Sequence, residues 1–277
     1  MRNKPLSHLV IAMKGAGEMV SAVAWRLYQA NFRRIVMLEL PQPLAVRRQV
    51  CFSEAVHDGR QVVEGVEAVK ASGAAEVYQA WEAAQIAVAV DPTWTLIREM
   101  KPDVVIDGTL AKRNLGTTME EAPLVIGLGP GFQAGRDVHF VIETTIGHHL
   151  GKVIVEGGAE ADTGIPVEIE GYTQEIVLRA PATGIFRARR EIRDLVRRDE
   201  VVGEVEGKEV RARLDGVLRG LIRSGTWVTE GVKVGDVDPR GEVSYCYTIF
   251  EKPRAIAGGV LEAVLRVFNT EHHGLSS

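Results

Sequence analysis

His8-Leu9-Val10-Ile11-Ala12-Met13, running straight into Lys14-Gly15-Ala16-Gly17-Glu18, decides how this chain is read. The first stretch is a short apolar run, the second a glycine turn, and Val20, Val23, Ala24 and Leu27 then recur at helical spacing up to Asn31. A second apolar run, Ile35 to Leu38, ends in Glu39, which lies 22 residues beyond Gly17. Strand, glycine turn, helix, strand and terminal acid is the layout of a dinucleotide-binding βαβ unit. In such a unit the glycines let a pyrophosphate approach the backbone, and the helix start offers free N–H groups to it. Gly15 and Gly17 are therefore candidate cofactor-binding residues, with Glu39 as the ribose partner. The third small position of the motif is Val20, and the same turn can also serve only to pack helix on strand. Beyond Glu39, the adjacent Arg47 and Arg48 read more readily as a solvated pair than as a phosphate clamp.

Further strands are expected at Ile86 to Val90, Val104 to Ile106, Leu124 to Ile126 and Val138 to Ile142, with helices at Ala74 to Ala84 and Thr93 to Met100. Alternating strands and helices imply a Rossmann-like parallel α/β sheet whose ligands sit beyond the carboxyl ends of the strands. Three loops follow those ends. Asp107-Gly108-Thr109-Leu110-Ala111-Lys112 carries an acid and a base, and Glu143 to His149 carries an acid and two imidazoles. Gly127-Leu128-Gly129-Pro130-Gly131-Phe132 lies between them; Gly127, Gly129 and Gly131 can cradle an anion or simply make a tight turn. Asp107, Lys112, Glu143 and His148 are the candidate acid–base residues, expected to share one cleft with the Gly15 turn.

After Gly171 the chain changes to short β-like runs punctuated by glycine. An offset of 32 lays Thr183-Gly184-Ile185-Phe186 on Asp215-Gly216-Val217-Leu218, and Val202-Gly203-Glu204-Val205 on Val234-Gly235-Asp236-Val237. Such a duplication implies two interlocked halves of a small β-sandwich, a pattern that resembles the barrel-sandwich hybrid of biotinyl and lipoyl carrier domains. In those carriers a lysine between the halves is modified. Lys208 sits between the halves here, but it lacks the flanking tripeptide and is expected to stay unmodified. Past Cys246, Pro253 opens a helix with Ile256, Val260, Val264 and Phe268 on one face, expected to dock on the α/β part. The expected division is an α/β domain over 1–170, a β-repeat domain over 171–245 and a C-terminal segment with its helix over 246–277.

Composition narrows the function. Thirty-three Lys and Arg against 37 Asp and Glu leave a net charge of -4, so the basic surplus that binds nucleic acid is absent. Apolar runs reach only five residues, far short of the roughly 20 needed to span a bilayer. The apolar stretch near the N-terminus is too short for a signal-peptide core, so a cytoplasmic location is expected. Two cysteines, Cys51 and Cys246, make no disulfide framework, and no metal-ligand spacing occurs. Cys246 reads as a small buried hydrophobe rather than a reactive thiol.

Five segments together look like the YqeB-type family, the accessory protein family of the selenium-dependent molybdenum hydroxylase system. They are Lys14 to Glu18, Pro43-Leu44-Ala45-Val46-Arg47-Arg48, Leu110-Ala111-Lys112-Arg113-Asn114-Leu115-Gly116-Thr117, Val125 to Phe132 and Val237-Asp238-Pro239-Arg240. The chain departs from the family's glycine turn at Glu18, Met19, Val20 and Ser21, and from its Ser-Asp-Lys-Ala-Arg segment, where Phe250-Glu251-Lys252-Pro253-Arg254 keeps Lys252 and Arg254. At the helix start Glu18 still places a carboxylate where a ligand would meet it. The resemblance implies a maturation factor for a xanthine-dehydrogenase-like molybdenum hydroxylase, with that enzyme or its maturation machinery as partner. It implies a molybdopterin-type cofactor as ligand, where the glycine turn alone admits a dinucleotide equally well. Two alternatives stay open: an NAD(P)-dependent oxidoreductase using Lys112 or His148 for proton transfer, and a non-catalytic binding or scaffold protein. The oligomeric state is open too.

Overall fold

In the computed structural model, which describes residues 4–269, the opening apolar run is strand β1 (Val10–Lys14), joined by the glycine turn to helix α1 (Glu18–Gln29) and strand β2 (Arg34–Glu39). There follow α2 (Ala55–Asp58), β3 (Arg60–Val63), β4 (Val66–Ala71), α3 (Ala74–Glu82), β5 (Ile86–Val90), α4 (Thr95–Met100) and β6 (Val104–Asp107). Strands β7 (Leu124–Leu128), β8 (Phe140–Ile142) and β9 (Val153–Ile154) complete one sheet in the order β3-β4-β5-β2-β1-β6-β7-β8-β9. Neighbours are parallel except at the two edges, where β3 pairs with β4 and β8 with β9 antiparallel.

The central strands are continuous apolar runs because helices cover both faces. Ile11 and Met13 join Val20, Val23 and Leu27 of α1 on one face. Ala12, Val36 and Leu38 meet Val77, Ala80 and Trp81 of α3 on the other. The Trp81 indole, buried there, donates to the Ile35 carbonyl at 2.8 Å. Helix α3 stops two residues before the expected Ala84, which has a φ of 55° that a helix cannot continue through. The β3–β4 hairpin stands where no strand is expected from the apolar pattern. It turns on Glu64 and Gly65, both at positive φ (42° and 81°), the backbone twist that suits a two-residue hairpin.

The repeat region contains β10 (Val177–Arg179), β11 (Gly184–Ala188), β12 (Leu195–Val196) and β13 (Val201–Val205). It continues with β14 (Lys208–Arg211), β15 (Gly216–Leu221), β16 (Trp227–Val228) and β17 (Lys233–Asp238). Strand starts at 184, 195 and 201 recur at 216, 227 and 233, an offset of 32. The two four-stranded sheets run β10-β17-β15-β12 and β14-β13-β11-β16, so each takes two strands from each half of the repeat. Phe186, Val202, Val205, Leu218, Val234 and Val237 fill the space between them. Lys208 opens β14 at an exposed turn. The fold is thus mixed α/β, a large mostly parallel sheet with two further antiparallel sheets.

The last helix, α5 (Glu251–Phe268), returns to the large sheet and lays Ile256, Val260 and Val264 into the core that α1 covers. The loop after β2 seats the repeat region. The Leu221 N–H donates to the Val46 carbonyl, and the Arg48 guanidinium donates to the Leu221 carbonyl, both at 2.8 Å. Among the described residues no helix is long and apolar enough to cross a membrane.

Candidate functional site

Strand order reverses between β1 and β6, and at such a point the loops above neighbouring strands diverge to opposite faces and leave a crevice. Gly15 sits there at φ 96°, and a Cβ on it would lie 3.4 Å from the Gly108 carbonyl oxygen. On Gly108 a Cβ would fall 2.2 Å from the Val20 side chain, so α1 can start this close to β6 only over glycine. The Ala16 and Leu40 N–H groups each donate to one oxygen of Glu39 at 2.7 Å. Burial raises the pKa of that carboxyl, and the two N–H groups pull against the rise. Both oxygens of the expected ribose partner are therefore engaged by its own chain. Gly17 caps α1 with no side-chain bond and has open space where a Cβ would be. Among the described residues the N–H groups of Gly17, Glu18 and Met19 have no acceptor.

Arg47, expected to be solvated, is 4% exposed. Its Nη1 donates to Glu18 at 2.7 Å, and Nη2 donates to the carbonyls of Tyr245 at 2.6 Å and Thr248 at 2.9 Å. One guanidinium thus ties the start of α1 to the segment that leads into α5. No motif announces this, because its partners are remote in sequence.

The three loops beyond β6, β7 and β8 come to the same end of the sheet, but their residues are engaged differently from one another. Asp107 is buried and accepts from the Thr109 N–H at 3.0 Å, the Thr109 hydroxyl at 2.8 Å and the Thr117 hydroxyl at 2.6 Å. Glu143, also buried, accepts from the N–H groups of Thr144 and Thr145 at 2.7 Å and of Glu160 at 2.8 Å. Lys112 is exposed and paired with Asp162, whose carboxyl that ammonium holds below the usual range. His148 is exposed, its ring edge-on to His149 with centroids 4.9 Å apart. The glycine loop is filled by protein: Cβ atoms on Gly127, Gly129 and Gly131 would each stand 2.5 Å from Phe132, Thr144 and the Arg113 backbone respectively.

Two further lysines organise this end of the sheet. Lys14, 1% exposed, donates to the Thr117 hydroxyl at 2.6 Å and to Glu121 at 2.8 Å. An ammonium can only donate, so Thr117 accepts from Lys14 and passes its own proton toward Asp107, a continuous chain that locks the ends of β1 and β6 together. Lys252, at the second position of α5, lies within electrostatic reach of Asp162, Glu18 and Glu143. Burial lowers its pKa against the pull of those three acids. The arrangement can hold an anion beside the start of α1, with Arg47 and Lys252 as nearby cations. Among the described residues no cluster of His, Cys, Asp and Glu is placed to hold a metal.

No family model matches the chain. Two solved structures share limited likeness. One is a succinylglutamate desuccinylase/aspartoacylase from Rhodobacter sphaeroides, 25% identical over 31% of this chain and 29% of that one, with a TM-score of 0.22. The other is an aspartoacylase family protein from Mesorhizobium loti, 12% identical over 82% of this chain and 84% of that one, with a TM-score of 0.25. Scores of that size bear on neither fold nor chemistry. By sequence the chain is 45% identical over 273 residues to YqeB of Escherichia coli (strain K12), covering 99% of this chain and 50% of that protein. The chain therefore spans about half the length of the curated relative it matches, and the identity across nearly all of it supports a YqeB-type family.

Proposed function

We propose that the chain acts in the cytoplasm as an accessory factor in the maturation of a selenium-dependent, xanthine-dehydrogenase-like molybdenum hydroxylase, and that it holds a phosphate-bearing cofactor or nucleotide beside Gly17. The observation that carries the ligand half is the uncapped first turn of α1 standing where the strand order reverses. Leaving aside the β3–β4 hairpin, the strands run β5-β2-β1-β6-β7-β8, an order that supports a Rossmann-like reading, with the ligand at that crevice. The molybdoenzyme half rests on the YqeB-type resemblance.

The residues fit a terminal phosphate. Three free N–H groups, an open position at Gly17 and two nearby cations are what an anion at a helix start needs. A molybdopterin-type cofactor bound there would bring its own metal and redox chemistry, while this chain's residues would bind and orient its phosphate. Each oxygen of Glu39 accepts one N–H and keeps a second lone pair, so a ribose hydroxyl is still admitted there and a dinucleotide stays open as the phosphate-bearing ligand. Asp107 and Glu143 act as positioning residues for their loops, and Lys112 and His148 remain as exposed proton-transfer groups. The exchange of strands between the repeat halves resembles a barrel-sandwich hybrid, and its rigid surface suits docking of the hydroxylase.

Two measurements test this. Titration of the protein with molybdopterin nucleotides, CTP, NAD and NADP should show binding that Gly17→Val abolishes; no binding of any would remove the ligand half. Hydroxylase purified from a deletion strain should be present but inactive, with altered metal, pterin or selenium content, and complementation should restore it. Unchanged activity and content would refute the maturation role.

A further inference from the structure

Where the loop after β2, the end of β17 and the start of α5 meet, a cavity of about 160 Å3 is lined by Arg47, Arg219, Arg240, Tyr245, Phe250 and Glu251, with Thr248 and Ile249. The hole is open to solvent on one side and has room for one tetrahedral oxyanion together with some water. Arg47 and Arg219 form its inner wall, both more than nine-tenths buried, while Arg240 and Tyr245 are partly open to solvent.

The wall is rich in donors that lack acceptors. Arg47 Nε is buried with no partner, although both terminal nitrogens are bonded. Arg219 gives Nε to Asp236 at 3.1 Å and Nη1 to Asp238 at 3.0 Å, and among the described residues its Nη2 has no acceptor. Arg240 gives Nε and Nη2 to Asp238, which leaves Nη1 likewise. Helix α5 contributes its own start: Phe250 caps it without a side-chain bond, the N–H groups of Glu251 and Lys252 have no acceptor among the described residues, and Pro253 has none to offer. The rings fix the cations, with Arg219 5.4 Å from the Phe250 centroid and Arg240 4.5 Å from that of Tyr245.

The acids nearby do not cancel these donors. Asp236 and Asp238 are fully buried and paired to Arg219, Lys233 takes the second oxygen of Asp236 at 2.7 Å, and Glu18 is bonded to Arg47 Nη1. Glu251 stands exposed at the rim. Arg47 Nε is the buried guanidinium N–H left without an acceptor here, a costly state, and the acceptor-free nitrogens of Arg219 and Arg240 belong to side chains that line the same hole. A tetrahedral oxyanion offers four oxygens to donors placed around it, where a carboxylate offers two.

We infer that this cavity is a seat for one phosphate group, as free phosphate or as the end of a phosphate monoester. The inference does not rest on the function proposed above, whose phosphate is held at α1. The test is calorimetric titration of the full chain with inorganic phosphate and, separately, ribose 5-phosphate, for wild type, Arg240→Gln, Gly17→Val and Gly17→Val combined with Phe250→Asp. Saturable binding is expected at millimolar concentration or below. Arg240→Gln, which leaves the buried arginines paired, should weaken it about tenfold to a hundredfold, the loss of one charge-assisted hydrogen bond. In the Gly17→Val background, where the α1 seat is blocked, Phe250→Asp puts a capping carboxylate on the α5 N–H groups and should abolish the remaining binding while circular dichroism stays unchanged. Gly17→Val should leave it intact. Tighter binding of ribose 5-phosphate identifies a monoester as the natural occupant, and tighter binding of inorganic phosphate identifies the free ion. No saturable binding of either, binding indifferent to Arg240→Gln and Phe250→Asp, or loss in Gly17→Val would each overturn the assignment.

Discussion

Two adjacent glycines in α5 should respond oppositely to the same substitution. Gly258 is half-buried, and a Cβ there meets nothing within 4 Å. Gly259 faces the loop between β8 and β9, where a Cβ would lie 2.1 Å from the Gly151 carbonyl oxygen and 3.1 Å from Ile142. Carbon–oxygen contacts ordinarily sit near 3.3–3.6 Å, so the helix would have to retreat by about 1 Å. The obstacle is backbone, and Gly151 cannot give way easily, since it too fits tightly under Ala255 at a φ of 79°. Replacing glycine by alanine inside a helix gains about 1 kcal/mol of propensity, and Gly258→Ala should show most of that. Gly259→Ala gains the same term, but a 2.1 Å contact with backbone puts its overpacking cost in the upper part of the usual range, about 2–3 kcal/mol, for a net loss of about 1–2 kcal/mol. The two variants should therefore differ by roughly 2–3 kcal/mol, or about 4–12 °C in Tm at the usual 2–4 °C per kcal/mol. Urea unfolding followed by tryptophan fluorescence reads this region, because Trp25, Trp81 and Trp94 all lie in the large-sheet part. A Gly259→Ala variant as stable as wild type would refute the close approach, and a destabilised Gly258→Ala would refute the open face.

Glu39 supplies a pH test. Its folded-state pKa is raised, so the stability that its protonated form contributes, read as wild type minus Glu39→Gln, should be lost as pH rises from the ordinary carboxyl value near 4.5 through the raised one. A wild-type stability that rises relative to the variant across the window would contradict the burial argument. Cys51 and Cys246 are both buried with thiol pKa values pushed up by burial, so the native protein should resist iodoacetamide and take up two equivalents only in denaturant. Prompt labelling of either in native buffer would show that it is reactive.

Much of the large sheet is legible in the sequence because its inner strands are covered on both sides and so appear as unbroken apolar runs, as at Ile86–Val90. The β3–β4 hairpin is harder to see: one side of it faces water, and Arg60, Gln61, Glu67 and Lys70 break up its apolar residues. Its real marker is Glu64-Gly65, a two-residue turn between valines, which composition alone does not single out. The repeat is legible for another reason. Gly216 and Gly235 sit where a Cβ would strike backbone of the neighbouring strand, at 2.3 Å and 2.9 Å, and such tight positions put recognisable glycines at the offset of 32.

The site is less legible, and the reason is chemical. Loops beyond parallel strands leave several N–H groups unpaired, and a carboxylate placed one to three residues on is the nearest acceptor. Asp107 and Glu143 do this work, and Glu39 does it across the Gly15 turn. A catalytic acid at a strand end and an acid that only ties down its loop have the same residue type at the same place. What separates them is whether both oxygens are engaged, and that depends on partners such as Thr117 and Glu160, 10 and 17 residues away. Arg47 is the converse case. Beside Arg48 it looks like surface charge, yet its acceptors Tyr245 and Thr248 lie 198 and 201 residues on, a separation no local pattern can carry. Glycines are ambiguous in the same way, since Gly127, Gly129 and Gly131 stand where a Cβ would strike Phe132, Thr144 and Arg113, a packing need that marks the sequence just as an anion cradle would. Among the described residues the donors left free near Arg47 include its own Nε and backbone N–H groups at the starts of α1 and α5, and the backbone groups belong to no side-chain motif. Every helix start leaves such N–H groups unpaired; what Arg47 adds is to tie the two starts together, so the anion binding proposed above would be a property of tertiary contacts before it is a property of any segment.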